Sequence, residues 1–553
     1  MKPFAKKSLF NFARVIIYGA VAGLLAVAFR WLLVFFYTNG IARFATFSAS
    51  EFLIYSLLSL AGTALLTGTI VRFICKTAAG SGSPQLKLAF WKDFGASTWR
   101  VTISKFVASV LAVGGGASLG NEGPMVLIGG TAASNVAGIL GVPAHLRREA
   151  AAAGAAAGLA AIFNAPMAAV AFVLEEIVEN LNSRLVGAVL LAAVVGTLVS
   201  QALLGNAPIF SVPAGTGAGW LLYIYVPVVA IAASLCGLAF QWTALKIRRV
   251  NALISKKYFW ASILVGAFSV WALGSAVFLT TGHLGVFGLG YGDLTEALNG
   301  NIIWWVAGTL LLAKIIATAI CYGSGACGGI FGPALFFGGT CGAAIVGALA
   351  MIVPALSNDA LITLAVVGMC AGFAAVVRAP ITAVLLVFEM THEFSMVPAL
   401  MLGVGIGWAL AKWLAPRDFY DVILDQNGES IDKIIPPRDL QAWQHLPIAR
   451  VMHTPVCVRA GTQNDASFQD LLDGNAFAFF PVVDEKNRPQ AVISRERVCL
   501  PVCPIFQNAT IREAEQALLK QEHGVVLVVD AAGTLVGLFT LHDILRLETN
   551  FNS

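Results

Sequence analysis

Gly114-Gly115-Gly116-Ala117-Ser118-Leu119-Gly120-Asn121-Glu122-Gly123-Pro124 and Gly323-Ser324-Gly325-Ala326-Cys327-Gly328-Gly329-Ile330-Phe331-Gly332-Pro333 are one pattern written twice. Gly114, Gly116, Ala117, Gly120, Gly123 and Pro124 each find a match 209 residues on, and so does Gly129-Gly130 at Gly338-Gly339. The same offset aligns Lys105-Phe-Val-Ala108 with Lys314-Ile-Ile-Ala317. A second block holds an offset of 214, pairing Asn164-Ala165-Pro166 and Glu175 with Arg378-Ala379-Pro380 and Glu389. Generic glycine-mediated helix packing scatters glycines without a shared register. A register held across so many glycines marks an internal repeat.

The medium of this repeat follows from composition. Of 553 residues, 58% are hydrophobic and 12% charged, with a mean hydropathy of +0.80. A soluble domain carries about twice that charge fraction, so the chain is predicted to sit in a lipid bilayer. The formal net charge is +5, and no basic run exceeds Lys6-Lys7 or Arg147-Arg148, which argues against a nucleic-acid partner. The nine cysteines form no Cys-x-x-Cys pair. Cys75, Cys321, Cys327, Cys341 and Cys370 lie in apolar segments and read as small buried hydrophobes, not disulfide or zinc residues. Val15 to Phe36 is too long for a signal-peptide core and reads as a first span. Lys2, Lys6, Lys7 and Arg14 precede it without an acid, which predicts a cytoplasmic N-terminus.

Apolar segments continue to about Leu414. Val15–Phe36, Phe52–Ile74, Leu185–Leu204, Leu221–Ala244 and Trp304–Ile320 approach the roughly 20 residues a span needs. Ala150–Phe163, Pro166–Glu176 and Pro380–Glu389 are short and cut by Asn164-Ala165-Pro166 or Arg378-Ala379-Pro380. Such interrupted segments mark helices that end inside the membrane, and their matching positions favour inverted repeats meeting at a central site. From Arg417 on, charge is frequent and no span-length run remains, so a soluble tail follows.

Three glycine-rich breaks are the candidate site: Gly80-Ser81-Gly82-Ser83-Pro84, Gly120–Pro124 and Gly328–Pro333. Each precedes or opens a helix, where proline is tolerated in the first turn. Free N–H groups and the helix dipole there attract an anion with partial charge only, which suits an ion that must also leave. Glu122 stands inside such a break. A carboxylate in an apolar segment is costly and usually functional, and at a helix N-terminus it occupies the place of an anion. Its repeat partner is Phe331, so the acid departs from the shared scaffold.

These three breaks, in this order, resemble the signatures of the ClC chloride channel and antiporter family over about Val15 to Leu424. The resemblance implies an all-α polytopic membrane domain (1–424) of two inverted repeats with broken, re-entrant helices. It also implies a homodimer with a pore in each subunit. Glu122 would be the gating and proton-accepting glutamate. Ser81 and Tyr420 would supply hydroxyls to chloride, with Gly80, Gly123, Ile330, Phe331 and Gly332 contributing backbone around it. Uncharged donors suit a transiting anion. Two residues depart from the family pattern: Asn121 stands where Arg or Lys is usual, and Ser83 where Ile is usual. Glu175-Glu176 closes the short apolar helix after Pro166. In the family's antiporters, the residue matching Glu176 is the inner proton-transfer glutamate. The resemblance therefore favours chloride/proton antiport, with a passive voltage-gated chloride channel as the alternative. Glu389 reads as structural. A cell-membrane location with both termini cytoplasmic is implied, and no cofactor beyond the transported ions.

After a linker (425–446), 447–500 and 505–548 look like two copies of a small α/β unit. Each has a Val-Val-Asp strand end, at Val482-Val483-Asp484 and Val528-Val529-Asp530, then a turn, a short strand and a helix. The pair resembles CBS domains, which often bind adenine nucleotides through a Thr and an Asp. Thr540 and Asp543 fit, whereas the first copy has Ser494 and Arg497. Enzyme signals fail. Gly116-Ala-Ser118-Leu-Gly120 matches the G-x-S-x-G pattern but follows a membrane helix with no nearby histidine partner. His392-Glu393 lacks the second histidine of a zinc-protease helix.

Overall fold

The computed structural model describes residues 3–551 other than 182–184, 214–219, 221, 353–356, 430–443, 445, 456, 461–465, 476 and 522–523. Lys2 and most of the expected linker fall outside the described residues. The chain divides into two compact units, Met1–Ile435 and Pro436–Ser553.

The first unit is helical. Its first half runs α1 (Pro3–Tyr37), α2 (Ala49–Thr69), α3 (Ser83–Lys92), α4 (Trp99–Gly114), α5 (Glu122–Ile139), α6 (Arg148–Phe163), α7 (Pro166–Phe172) and α8 (Val186–Leu204). The second half runs α9 (Leu222–Thr281), α10 (Tyr291–Leu298), α11 (Trp304–Gly323), α12 (Phe331–Ile352), α13 (Asn358–Val377), α14 (Pro380–Thr391), α15 (Val397–Leu414) and α16 (Phe419–Gln426). Among the described residues, eight helices are long and apolar enough to cross a membrane. Of the expected span Leu221–Ala244, the described residues from Leu222 on are only the start of α9, which stays helical until Tyr258 breaks it (φ −121°, ψ 51°). The Ser262 hydroxyl bonds the Asn251 side chain across that break. Eleven residues of straight helix would hold them about 16 Å apart, so the chain doubles back there.

Repeat partners satisfy one another. The Gly120 N–H donates to Gly329 O (2.7 Å) and the Gly329 N–H to Gly120 O (2.6 Å). Glu389, at the end of α14, accepts from the Met167 and Ala168 N–H groups that open α7 (3.0 and 2.7 Å). Glu175, in the π-helical turn Val173–Ile177 after α7, accepts from the Ile381 and Thr382 N–H groups that open α14 (3.1 and 2.8 Å). Each exchange is reciprocal, as a two-fold axis requires. The N-terminus of each helix lies against the C-terminal end of its mate, so α7 and α14 run antiparallel. An axis along the membrane normal would leave mates running the same way. The repeats are therefore inverted, and Glu175 and Glu389 are caps for helix ends that lie away from water.

The glycines shared by the repeat let helices touch. A Cβ on Gly129 (α5) would lie 2.3 Å from the Gly154 carbonyl oxygen (α6), and one on Gly338 (α12) 2.3 Å from that of Gly368 (α13). Asn164 and Arg378 both end their helices in the left-handed region (φ 54° and 62°), and the following Ala-Pro starts α7 and α14.

The second unit repeats one ββ motif. β1 (Val458–Arg459) pairs parallel with β2 (Phe479–Val483), β2 antiparallel with β3 (Pro489–Ser494), and β3 antiparallel with β4 (Cys499–Leu500), with α17 (Ala466–Gly474) between β1 and β2. β5 (Ile505–Phe506) pairs parallel with β6 (Val525–Val529), and β6 antiparallel with β7 (Leu535–Thr540), with α18 (Ile511–Leu518) between β5 and β6 and α19 (Leu541–Phe551) after β7. The helix expected at the end of the first copy does not form. The chain turns at Arg497 (φ 64°) and returns as β4, and Pro501 leaves no length for a helix.

Replacing Gly338 with alanine should lower the melting temperature of the purified protein, because overpacking at a backbone contact costs about 1–3 kcal/mol. Gly308→Ala, where a Cβ meets nothing within 4 Å, should leave it unchanged.

Candidate functional site

The two-fold axis brings the helix N-termini together. Gly120 and Gly329 pair immediately before α5 and α12, so both helices start from one point. Glu122 is the first residue of α5 and is fully buried. Its carboxylate lies against both helix starts. A Cβ on Gly329 would stand 3.0 Å from Oε2, and one on Gly332 2.8 Å from Oε1. The Tyr291 hydroxyl donates to Oε1 at 2.7 Å, whereas Oε2 has no hydrogen-bond partner among the described residues. The opening N–H groups of a helix lack intrahelical acceptors and carry its positive dipole end. The carboxylate thus fills a place that favours any small anion.

A second cluster of donors lies beside it. Ser81 leads into α3, and a Cβ on Gly123 would come 2.2 Å from its hydroxyl, so Ser81 touches the first turn of α5. Tyr420 of α16 faces Ser81 and Ser83, and the hydroxyls of all three are buried without a hydrogen-bond partner among the described residues. Orphaned buried donors are costly, and three at one place mark a site for an acceptor. Gly80 (φ 72°) and Gly82 (φ 111°) hold the turn in conformations that side chains rarely adopt. The Gly80 N–H donates to Ala326 O (3.3 Å), and its carbonyl accepts from Gly328 N–H (3.2 Å) and from Lys105 Nζ (2.5 Å). Gly80 thereby shapes the loop. Lys314 does the same for the mate of α3, donating to the carbonyls of Gly285, Val286 and Gly288 (2.9, 3.2 and 2.7 Å) just before α10. Phe331, partner of Glu122, packs edge-on to Phe172 and Phe373 at 4.9 and 5.1 Å, and Ile330 beside it is fully buried.

Glu176 is not a solvated helix end. It is buried and bound to Lys87 of α3 at 3.2 Å. The same ammonium reaches Glu179 (2.6 Å) and Asp421 (2.9 Å), the latter next to Tyr420. One cation thus ties the turn carrying Glu176 to both elements that carry the hydroxyls. In the tail, both oxygens of Asp543 are engaged. Thr540 donates to one from its N–H and hydroxyl (2.9 and 2.8 Å), and His453 meets the other at 2.7 Å.

Sequence reading missed Tyr291 and Lys87. Gly80-Ser-Gly82 is echoed by Gly288-Leu-Gly290, an offset of 208, so extending the repeat would have located a third N-terminus and the tyrosine that opens it. For Lys87 no local pattern exists, because its partners come from distant segments.

These features define an integral membrane protein of two inverted repeats, with a carboxylate and a group of neutral hydroxyls buried where the repeats meet. The family of voltage gated chloride channels matches residues 63–412, and the CBS domain matches 501–550. Curated relatives include the H(+)/Cl(-) exchange transporter ClcA of Cronobacter sakazakii, 32% identical over 414 residues, covering 73% of this chain and 87% of that protein. The transporter of the same name from Klebsiella pneumoniae is 30% identical over 425 residues, covering 74% and 87%. Among solved structures, a slow cyanobacterial Cl-/H+ antiporter matches with a TM-score of 0.67 at 24% identity, covering 75% of this chain and 97% of that one. A eukaryotic CLC transporter matches at 0.63 and 20%, covering 97% and 98%. At those identities the likeness speaks for the fold. The chain belongs to the ClC family of voltage gated chloride channels and transporters.

Ser81→Ala and Tyr420→Phe each delete one neutral donor. At about 1 kcal/mol per hydrogen bond, each should weaken bromide binding to the purified protein about fivefold by calorimetry. Unchanged affinity in both would remove these hydroxyls from the site.

Proposed function

We propose that this protein exchanges chloride for protons across a cell membrane, with Glu122 alternately occupying and vacating the anion pathway. The observation that carries this reading is the Glu122 carboxylate lodged against the N-termini of both α5 and α12. A carboxylate and a chloride compete for the same N–H groups. Protonation removes the charge that holds the side chain there, so a proton taken up by Glu122 frees the place for chloride. The hydroxyls of Ser81, Ser83 and Tyr420 would receive the ion next.

Glu176 is the proposed second proton carrier. It sits on a π-helical turn, buried, and shares Lys87 with Asp421. Its burial supports exchange over passive conduction, and so do the curated relatives, which are named as exchangers. Residues 1–424 would form the transport domain and 447–500 and 505–548 a CBS pair, the chain acting as a homodimer with both termini in the cytoplasm. With Asp543 held by Thr540 and His453, the tail is proposed to act through its packing, since adenine nucleotide binding would have to break those bonds.

In liposomes, a chloride gradient should drive protons uphill through the wild-type protein. Its failure to do so would leave the passive channel. Glu122→Ala and Glu176→Ala should each abolish proton movement while chloride flux persists. Tyr291→Phe deletes a hydrogen bond to a charged group, worth about 1.5–3 kcal/mol. The carboxylate should then leave its place more readily, and chloride should bind more tightly, by about tenfold or more.

A further inference from the structure

The break in α9 gathers positive charge that the anion pathway does not use. Lys246, Arg248, Arg249, Lys256 and Lys257 fall within twelve residues, and no acid stands between Trp242 and Trp260. Tyr258 and Trp260 close this run and are exposed. Basic residues collect on the cytoplasmic side of spans, and exposed tyrosine and tryptophan mark the level of the lipid headgroups. Part of the charge lines a cavity of about 570 Å³, a size that suits a small ligand. Arg248 and Arg249 of α9 form its wall together with Arg417, Asp425 and Asn427 at the two ends of α16. Arg417 already pairs with Asp425 at 2.6 Å, so the acid is committed. Arg248 donates from one Nη to Asn427 Oδ1 at 2.7 Å, and its Nε is buried without a hydrogen-bond partner among the described residues. Arg249 is exposed. Among the described residues neither Arg248 nor Arg249 makes an ion pair or donates to a backbone carbonyl, so neither is spent on a helix end. Three cations thus meet one acid, and two of them have no counter-charge.

We propose that this cavity binds a phosphate group, with Arg248 and Arg249 as its principal contacts. The guanidinium fork matches two phosphate oxygens at once, which an ammonium cannot do. A cluster of four to eight basic residues beside a membrane helix is the pattern that holds anionic lipid, and the exposed Tyr258 and Trp260 place the cluster at headgroup level. An anionic phospholipid is therefore the favoured source of the phosphate, with free phosphate in the water phase as the other. Ser81, Ser83, Glu122 and Tyr420 do not line the cavity, so the site is separate from the anion pathway. It still touches that pathway through α16, the helix that carries Tyr420. A phosphate held between α9 and α16 would tie the two helices together.

Calorimetry on the full-length protein in an uncharged detergent tests the site without any measurement of transport. The protein is titrated with short-chain phosphatidylglycerol, with the matching zwitterionic phosphatidylcholine, and with inorganic phosphate. Phosphatidylglycerol should bind more tightly than phosphatidylcholine. Arg249→Gln should weaken that binding about fivefold, the effect of one cation beside an anionic headgroup. The double change Arg248→Gln with Arg249→Gln should weaken it about thirtyfold. Lys256→Gln with Lys257→Gln removes the same charge from outside the cavity and should change the affinity less than about twofold. Arginine-dependent binding of phosphatidylglycerol that inorganic phosphate does not displace assigns the site to lipid. Arginine-dependent binding of inorganic phosphate, with no preference between the two lipids, assigns it to free phosphate. If the double variant does not fold, Arg249→Gln decides alone, because its side chain is exposed and holds nothing in place. Equal affinities of wild type and Arg249→Gln for both phosphatidylglycerol and phosphate overturn the proposal. So does an equal loss in the lysine and arginine pairs, which is the mark of diffuse surface charge.

Discussion

Two helix N-termini meeting head to head in a low-dielectric interior must find a negative charge, and the rest of the transport unit is arranged around that demand. The opening N–H groups of α5 and α12 have no intrahelical acceptors, and their dipoles add. Lysine or arginine at this point would bind an anion permanently, whereas partial charges bind and release it. Glu122 meets the demand from within the chain. There the repeat breaks its own symmetry, with a group that ionises against Phe331 in the mate.

Holding such a point together is the work of the reciprocal contacts. Gly120 and Gly329 exchange both hydrogen bonds. Glu175 and Glu389 cap each other's broken helices. Lys105 and Lys314 gather the carbonyls of the loops ahead of α3 and α10. Each buried charge finds either backbone dipoles or a partner of opposite sign, which is how ionisable groups survive at membrane depth. Lys87 is the exception in kind, because it draws three carboxylates together without a mate in the other half. It breaks the symmetry on the same side as Glu176, so both acids assigned to the proton lie where the two halves differ.

The repeat was legible because symmetry leaves a periodic trace. One offset in the glycines located both helix crossings, and the Asn-Ala-Pro and Arg-Ala-Pro breaks located the ends of α6 and α13. Glu389 was legible as structural because its partner Glu175 sits at the same offset. Tyr291 was not, although Gly288 and Gly290 pointed to it, because nothing local says that a tyrosine between two spans will reach across to another helix. Lys87 was invisible for a related reason. Its meaning lies in what faces it across the fold, at a sequence separation of 89 from Glu176. The helix missing from the first tail copy was a failure of local chemistry, since Pro501 was in plain view.

The competition between carboxylate and anion for one place is the central claim, and crystals of the Glu122→Gln variant grown in bromide test it most directly. The neutral side chain should yield its position, and anomalous scattering should show bromide between the first turns of α5 and α12. Glutamine remaining in the carboxylate's place, with no bromide between those turns, would contradict the account.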